Sequence, residues 1–198
     1  MIDLRSHLQQ LSDLVREAAV TNRQGIQITL EAGIQQAVET ILAVSRKIML
    51  IGNGGSAAIA SHMQNDLCKA VGVRAMVFNE PPLLTALSND HGYPSAFQKP
   101  VELWVEPGDL LIAISSSGQS ENILRAAQAC REGGGQIITF SGFRPDNLLR
   151  RRGEINFYVG SENYGQVEVA HMTLTHFLTD CAMAVRRPLR AASEPANE

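Results

Sequence analysis

Cysteine, aromatic residues, charge of one sign and long apolar runs are all scarce in this 198-residue chain, and each shortage excludes something. Three cysteines, Cys68, Cys130 and Cys181, are odd in number and show neither C-x-x-C nor metal-type spacing. They form no disulfide framework and read as reduced thiols of a cytoplasmic protein. Seventeen Lys and Arg stand against twenty Asp and Glu, for a net charge of -3, with basic clusters only at Arg150 to Arg152 and at Arg186, Arg187 and Arg190. That balance lacks the basic footprint of a nucleic-acid partner. No apolar run approaches the roughly 18 to 20 residues of a membrane span. The opening "MIDLRSHLQQL" has neither the basic flank nor the apolar stretch of a signal peptide. A soluble protein with no membrane partner is expected.

What is present is periodicity. Leu4, Leu8, Leu11, Leu14 and Val15 recur at helical spacing, and a second helical stretch follows from about Ile28 to Val44 with Gly25 as the breaker between. Apolar stripes on both predict that residues 1–45 form helices that cover a sheet or a partner subunit. Then come five short, unalternating runs rich in β-branched residues: 47–51, 74–78, 109–115, 136–141 and 155–159. Runs of this kind suit strands buried on both faces of a parallel sheet. Helical segments separate them, at about 56–70, 81–90 with 94–104, 120–132 and a short piece near 146–151, and a long helix from Val167 to Val185 closes the chain. The fold class expected is α/β, a doubly wound five-stranded parallel sheet flanked by helices over residues 46–187, with residues 188–198 as a loose tail.

In such sheets ligands collect at the carboxyl ends of the strands, where helix N-termini also point. Two loops fit. In Asn53-Gly54-Gly55-Ser56 the glycines let backbone approach a ligand; the pattern is neither G-x-G-x-x-G nor a P-loop, because it lacks the lysine. In "SSSGQSENI", 115–123, Ser115, Ser116, Ser117 and Ser120 crowd hydroxyls and amides around Gly118. Neutral donors at a helix N-terminus suit a dianionic phosphate, and the helix dipole adds about 0.3 to 1 kcal/mol. With no Lys or Arg in either loop, a sugar phosphate fits better than a nucleoside triphosphate.

Titratable groups gather on two helices. His62 and Asp66 are four apart and share one face. On the last helix Glu168, His171 and His176 stand together; Glu168 and His176 are eight apart, about 12 Å along the axis. Spacing leaves both histidines open. Asn89, Asp90 and His91 follow at a helix end, where turn chemistry alone would account for them.

Together "GNGGSAAIASH" at 52–62, "LTALSNDHGY" at 84–93, "GDLLIAISSSGQSENIL" at 108–124 and the helix of His171 and His176 resemble the sugar isomerase (SIS) domain family, most nearly its phosphoheptose isomerase branch. The resemblance implies that Asn53, Gly54, Gly55 and Ser56 line a sugar phosphate, that Asn89 and Asp90 approach its hydroxyls, and that Ser115, Ser116, Ser117 and Ser120 surround the phosphate. It implies a zinc ion at His62, Asp66, Glu168 and His176, and so prefers His176 to His171. Asp66 stands where the branch has Glu and Glu168 where it has Gln, and "CKAVGVRA" replaces an Arg-containing stretch after the first helix of the site.

The activity implied is interconversion of an aldose phosphate and a ketose phosphate through an enediol. Glu168 or Asp66 would be the base, His176 the acid, and zinc the electrophile. A homotetramer is also implied. The alternative within the family is a non-catalytic module that binds a sugar phosphate or a protein partner, of the replication-initiator-associating type.

Overall fold

The structure is a computed structural model that describes residues 3–191, with side chains described through Arg187. Helix α1 (Leu4–Arg16) starts where the Asp3 side chain accepts a hydrogen bond from the Ser6 backbone N–H, an N-cap that satisfies one otherwise orphaned donor. It buries none of its residues completely. A hairpin of β1 (Ala19–Asn22) and β2 (Gln27–Ile28) follows, turned at Gly25. Helix α2 (Leu30–Ala43) then begins at Thr29, whose hydroxyl accepts from Ala32 N–H.

Beyond α2 the chain alternates strand and helix: β3 (Ile48–Gly52), α3 (Gly55–Asp66) with a π turn at Leu67–Val71, β4 (Ala75–Val77), α4 (Pro81–His91) and α5 (Gln98–Trp104). It continues with β5 (Leu110–Ser115), α6 (Glu121–Glu132), β6 (Gln136–Gly142), β7 (Ile155–Val159) and α7 (Tyr164–Ala191). All strands join one sheet in the order β2-β1-β7-β6-β5-β3-β4. The five strands read from the sequence form its parallel part, β4-β3-β5-β6-β7. The hairpin extends that part at one edge, β1 running antiparallel to β7 with Val20 opposite Phe157.

The region before residue 46 is therefore not made of helices alone. "AVTN" is too short to carry a period, and β1 exists because its backbone completes the edge of β7 while Val20 is fully buried. At the other end the α7 backbone stays helical through Ala191, past Pro188 where a loose tail was expected. Arg186, Arg187, Leu189 and Ala191 are good helix formers. Residues 192–198, the rest of that tail, lie outside the described residues.

Two apolar layers hold the sheet. Ile48 and Leu50 of β3 face the layer shared with α2, α3 and α7, whereas Met49 and Ile51 face α5 and α6. All four are fully buried, which explains why these strands read as continuous rather than alternating apolar runs. The strand order reverses between β3 and β5, their neighbours β4 and β6 lying on opposite sides. At such a switch point the loops leaving the two strands diverge and open a crevice at their carboxyl ends.

Candidate active site

The loops that leave β3 and β5 are the two picked out in the sequence. A cleft of about 110 Å³ opens between them, lined by Asn53, Ser56, all four serines of the 115–120 loop, Tyr164 and Glu168. Helices α3 and α6 point their N-termini into it, and neither is capped by a side chain: Gly54 has none, and Ser120 makes no cap bond. Their first backbone N–H groups therefore remain available to an anion.

The serine loop is pre-shaped. Gly118 N–H donates to Ser115 Oγ at 3.2 Å, the Ser115 and Ser120 hydroxyls lie 3.2 Å apart, and Gln119 N–H donates to Ser117 Oγ at 3.2 Å. Gly118 has φ +62°, and a Cβ there would run into the side chain of buried Asn147, so only glycine fits. Ser116 differs from its neighbours: it is 5% exposed and its hydroxyl has no hydrogen-bond partner. A buried hydroxyl left unpaired is costly, and Ser116 lines the cleft, where a bound ligand would supply a partner.

Asn53 is held from two sides. It exchanges amide hydrogen bonds with buried Asn122 at 2.9 and 3.0 Å, and Tyr93 donates its phenol O–H to Asn53 Oδ1 at 2.6 Å. Asn122, Tyr93 and Tyr164 did not stand out in the sequence. Asn122 lay inside the serine motif as an ordinary helix residue, and only the fold brings the two tyrosines to the β3 and β5 loops.

Helices α3 and α7 run side by side in the same direction, so their functional residues meet in two tiers. In the upper tier the Glu168 carboxylate packs against Gly55, where any Cβ would collide with it. Two turns along, Asp66 Oδ2 lies 3.5 Å from His62 Nε2 and 3.4 Å from His176 Nδ1, and the two imidazole centroids are 4.5 Å apart. One ligand atom from each of these three residues falls within 4.8 Å of the others. Two imidazole nitrogens and a carboxylate oxygen are the donor types a divalent zinc ion takes, with a fourth position left for water or substrate.

Glu168 is not part of that group; its carboxylate lines the serine cleft instead. Eight residues, about 12 Å of helix, separate it from His176. Asn89 and Asp90 are not brought to the cleft either. They sit exposed on α4, which buries none of its residues, and Asn89 donates its amide to Asp90 Oδ1 at 2.9 Å.

His171 has a different place from His176. It is fully buried between α7 and β6, edge-on to Phe140, and burial pushes its ring down to about 4, so it is neutral near pH 7.

The SIS domain profile matches residues 15–142. The chain is 30% identical over 182 residues to the phosphoheptose isomerase of Aquifex aeolicus, an alignment that takes in 87% of this chain and 94% of that one. The chain belongs to the SIS domain family, among the phosphoheptose isomerases. The phosphoheptose isomerase of Nitratidesulfovibrio vulgaris is 34% identical over 167 residues, 79% of this chain and 76% of its own. In three dimensions this SIS chain overlays the phosphoheptose isomerase of Neisseria gonorrhoeae with a TM-score of 0.78 at 26% identity, over 91% of this chain and 97% of that one.

Proposed function

We propose that this SIS protein isomerises a heptose phosphate, moving a proton between two adjacent carbons of an open-chain sugar. The observation that carries the reading is the unpaired Ser116 hydroxyl, buried in a cleft of serines at two open helix N-termini, with the His62, Asp66, His176 group two turns farther along α3 and α7. The cleft takes the phosphate: Ser115, Ser116, Ser117 and Ser120 with Ser56 offer hydroxyls, and Asn53 lines the cleft beside them. About 12 Å of helix leaves room for a carbon chain between phosphate and reacting end.

At that end Asp66 takes the proton from C2 of the aldose while His176 gives one to the carbonyl oxygen at C1, forming the enediol. The C2 hydroxyl then returns its proton to His176, and Asp66 delivers its own to C1. The product is the ketose, and both groups are restored. Asp66 is preferred to Glu168 as the base because it stands beside His176, whereas Glu168 stands at the phosphate.

A zinc ion would be held by His62, Asp66 and His176, and it would polarise the carbonyl that accepts the proton. We further propose a cytoplasmic homotetramer. Support comes from the exposed stripe of α1, with Leu4 and Leu8 more than half exposed, and from an apolar groove of about 550 Å³ between α2 and α7, lined by Ile34, Val38, Leu42, Phe177 and Val185. Helix α4, carrying Asn89 and Asp90, is a further face such an assembly would cover. Among the described residues no helix is long and apolar enough to cross a membrane. A non-catalytic module would have no use for the His-Asp-His group.

The test is proton NMR of the purified protein with sedoheptulose 7-phosphate in D₂O. Formation of the aldose with deuterium entering the C2 position is expected. A protein that binds the compound without isomerising it would overturn the catalytic reading.

A further inference from the structure

His171 is the one ring on α7 that faces neither solvent nor the cleft, and its ring hydrogen bond ties helix α7 to the end of strand β6. Its Nε2 lies 3.1 Å from the Ser141 carbonyl oxygen. A carbonyl only accepts, so Nε2 carries the hydrogen; Nδ1 is then a bare lone pair, and it is buried without a partner. The other half of the same peptide unit, Gly142 N–H, donates to the backbone oxygen of Ser116 at 2.9 Å.

One peptide plane thus joins His171 on one side to the second residue of the serine loop on the other. From the far side the buried Asn147 amide donates to Ser141 Oγ and to the Gly142 carbonyl, both at 3.2 Å, and its side chain seats Gly118. The strand β6 end is held between an imidazole and an amide, and the serine loop hangs from it.

We propose that His171 is a positioning residue for the phosphate cleft: through the Ser141–Gly142 peptide it fixes the backbone that aims the Ser116 hydroxyl. It touches no substrate. Without the Nε2–H donor the Ser141 carbonyl keeps its sheet pairing with β7 but loses its side-chain partner, so the peptide is less firmly fixed and Gly142 N–H holds Ser116 less precisely. The proposal rests on the cleft being the phosphate site, so its test uses inorganic phosphate as well as sugar phosphate.

Phosphate binding to the full-length protein is measured by calorimetry for the unaltered chain, His171→Gln and His171→Leu. Glutamine carries an N–H donor near the position of Nε2 and should stay within about twofold; leucine should weaken phosphate by about tenfold, the loss of one hydrogen bond's worth of alignment. In the isomerase assay His171→Leu should raise KM by the same factor with kcat little changed. A purely structural histidine would lower the melting temperature in both variants and leave phosphate affinity alone. A folded His171→Leu that binds phosphate like the unaltered chain overturns the proposal while leaving the cleft standing. No phosphate binding by the unaltered chain overturns both. Should His171→Leu not fold, ¹⁵N NMR of the unaltered protein decides: the His171 Nε2–H signal should shift when phosphate is added, and a signal that stays put refutes the coupling.

Discussion

Replacing Glu168 with glutamine isolates the charge at the phosphate end of the site. The side chain keeps its length and its packing on Gly55, so the perturbation is one negative charge. Glu168 lines the same cleft of about 110 Å³ as the four serines, so a phosphate bound there would share the cleft with its carboxylate, and a separation of about 5 Å is taken for the arithmetic. At that separation two unit charges in an effective dielectric of about 20 repel by about 3 kcal/mol. The carboxylate is only half-buried, so solvent and salt reduce this to about 1 to 2 kcal/mol. Glu168→Gln should therefore bind inorganic phosphate about 5- to 30-fold more tightly, measured by calorimetry at low ionic strength. The gap should narrow as salt is added, because screening acts only on the charged form. KM for the sugar phosphate should fall with it. Unchanged or weaker phosphate binding would show that Glu168 does not face the anion. Loss of turnover at unchanged phosphate affinity would return the role of base to Glu168.

Further consequences follow from other parts of the site. Alanine at His62 or at His176 removes one of three donors; zinc per chain, measured by mass spectrometry, should drop, and turnover should fall at least about 10²-fold with the circular dichroism unchanged. Because burial holds the His171 ring at about 4 against an ordinary 6.5, the folded chain sheds a proton that the unfolded chain keeps. Stability contributed by this group is full above pH 6.5, declines as pH falls toward 4 and levels off below, a loss on the order of 3 kcal/mol; chemical denaturation across that range should show the decline, and His171→Gln should lack it. Gly118→Ala forces a Cβ into Asn147 at positive φ and should cost about 1 to 3 kcal/mol in denaturation while abolishing phosphate binding.

How much of this could be read from residues alone depended on whether the information was local. The parallel strands were legible because burial on both faces leaves a run such as Ile48–Ile51 without any polar alternation, and glycines or serines mark the ends of β3, β5, β6 and β7. The hairpin was not, because "AVTN" becomes a strand only against β7, more than a hundred residues later. The same division runs through the site. His62 and Asp66 share a face by helical spacing, and the serine loop declares itself by composition. The register of α7 against α3, in contrast, is set by tertiary packing. That register sets Glu168 against Gly55 in the serine cleft and brings His176 to Asp66 and His62. It also resolves the two histidines of α7 by burial rather than by spacing: His176 faces Asp66 and His62, while His171 is fully buried and bonded to the Ser141 carbonyl. On the roles proposed for these two histidines, one helix couples the His62, Asp66, His176 group to the shape of the serine cleft, and a change in its packing would be felt in kcat and KM together.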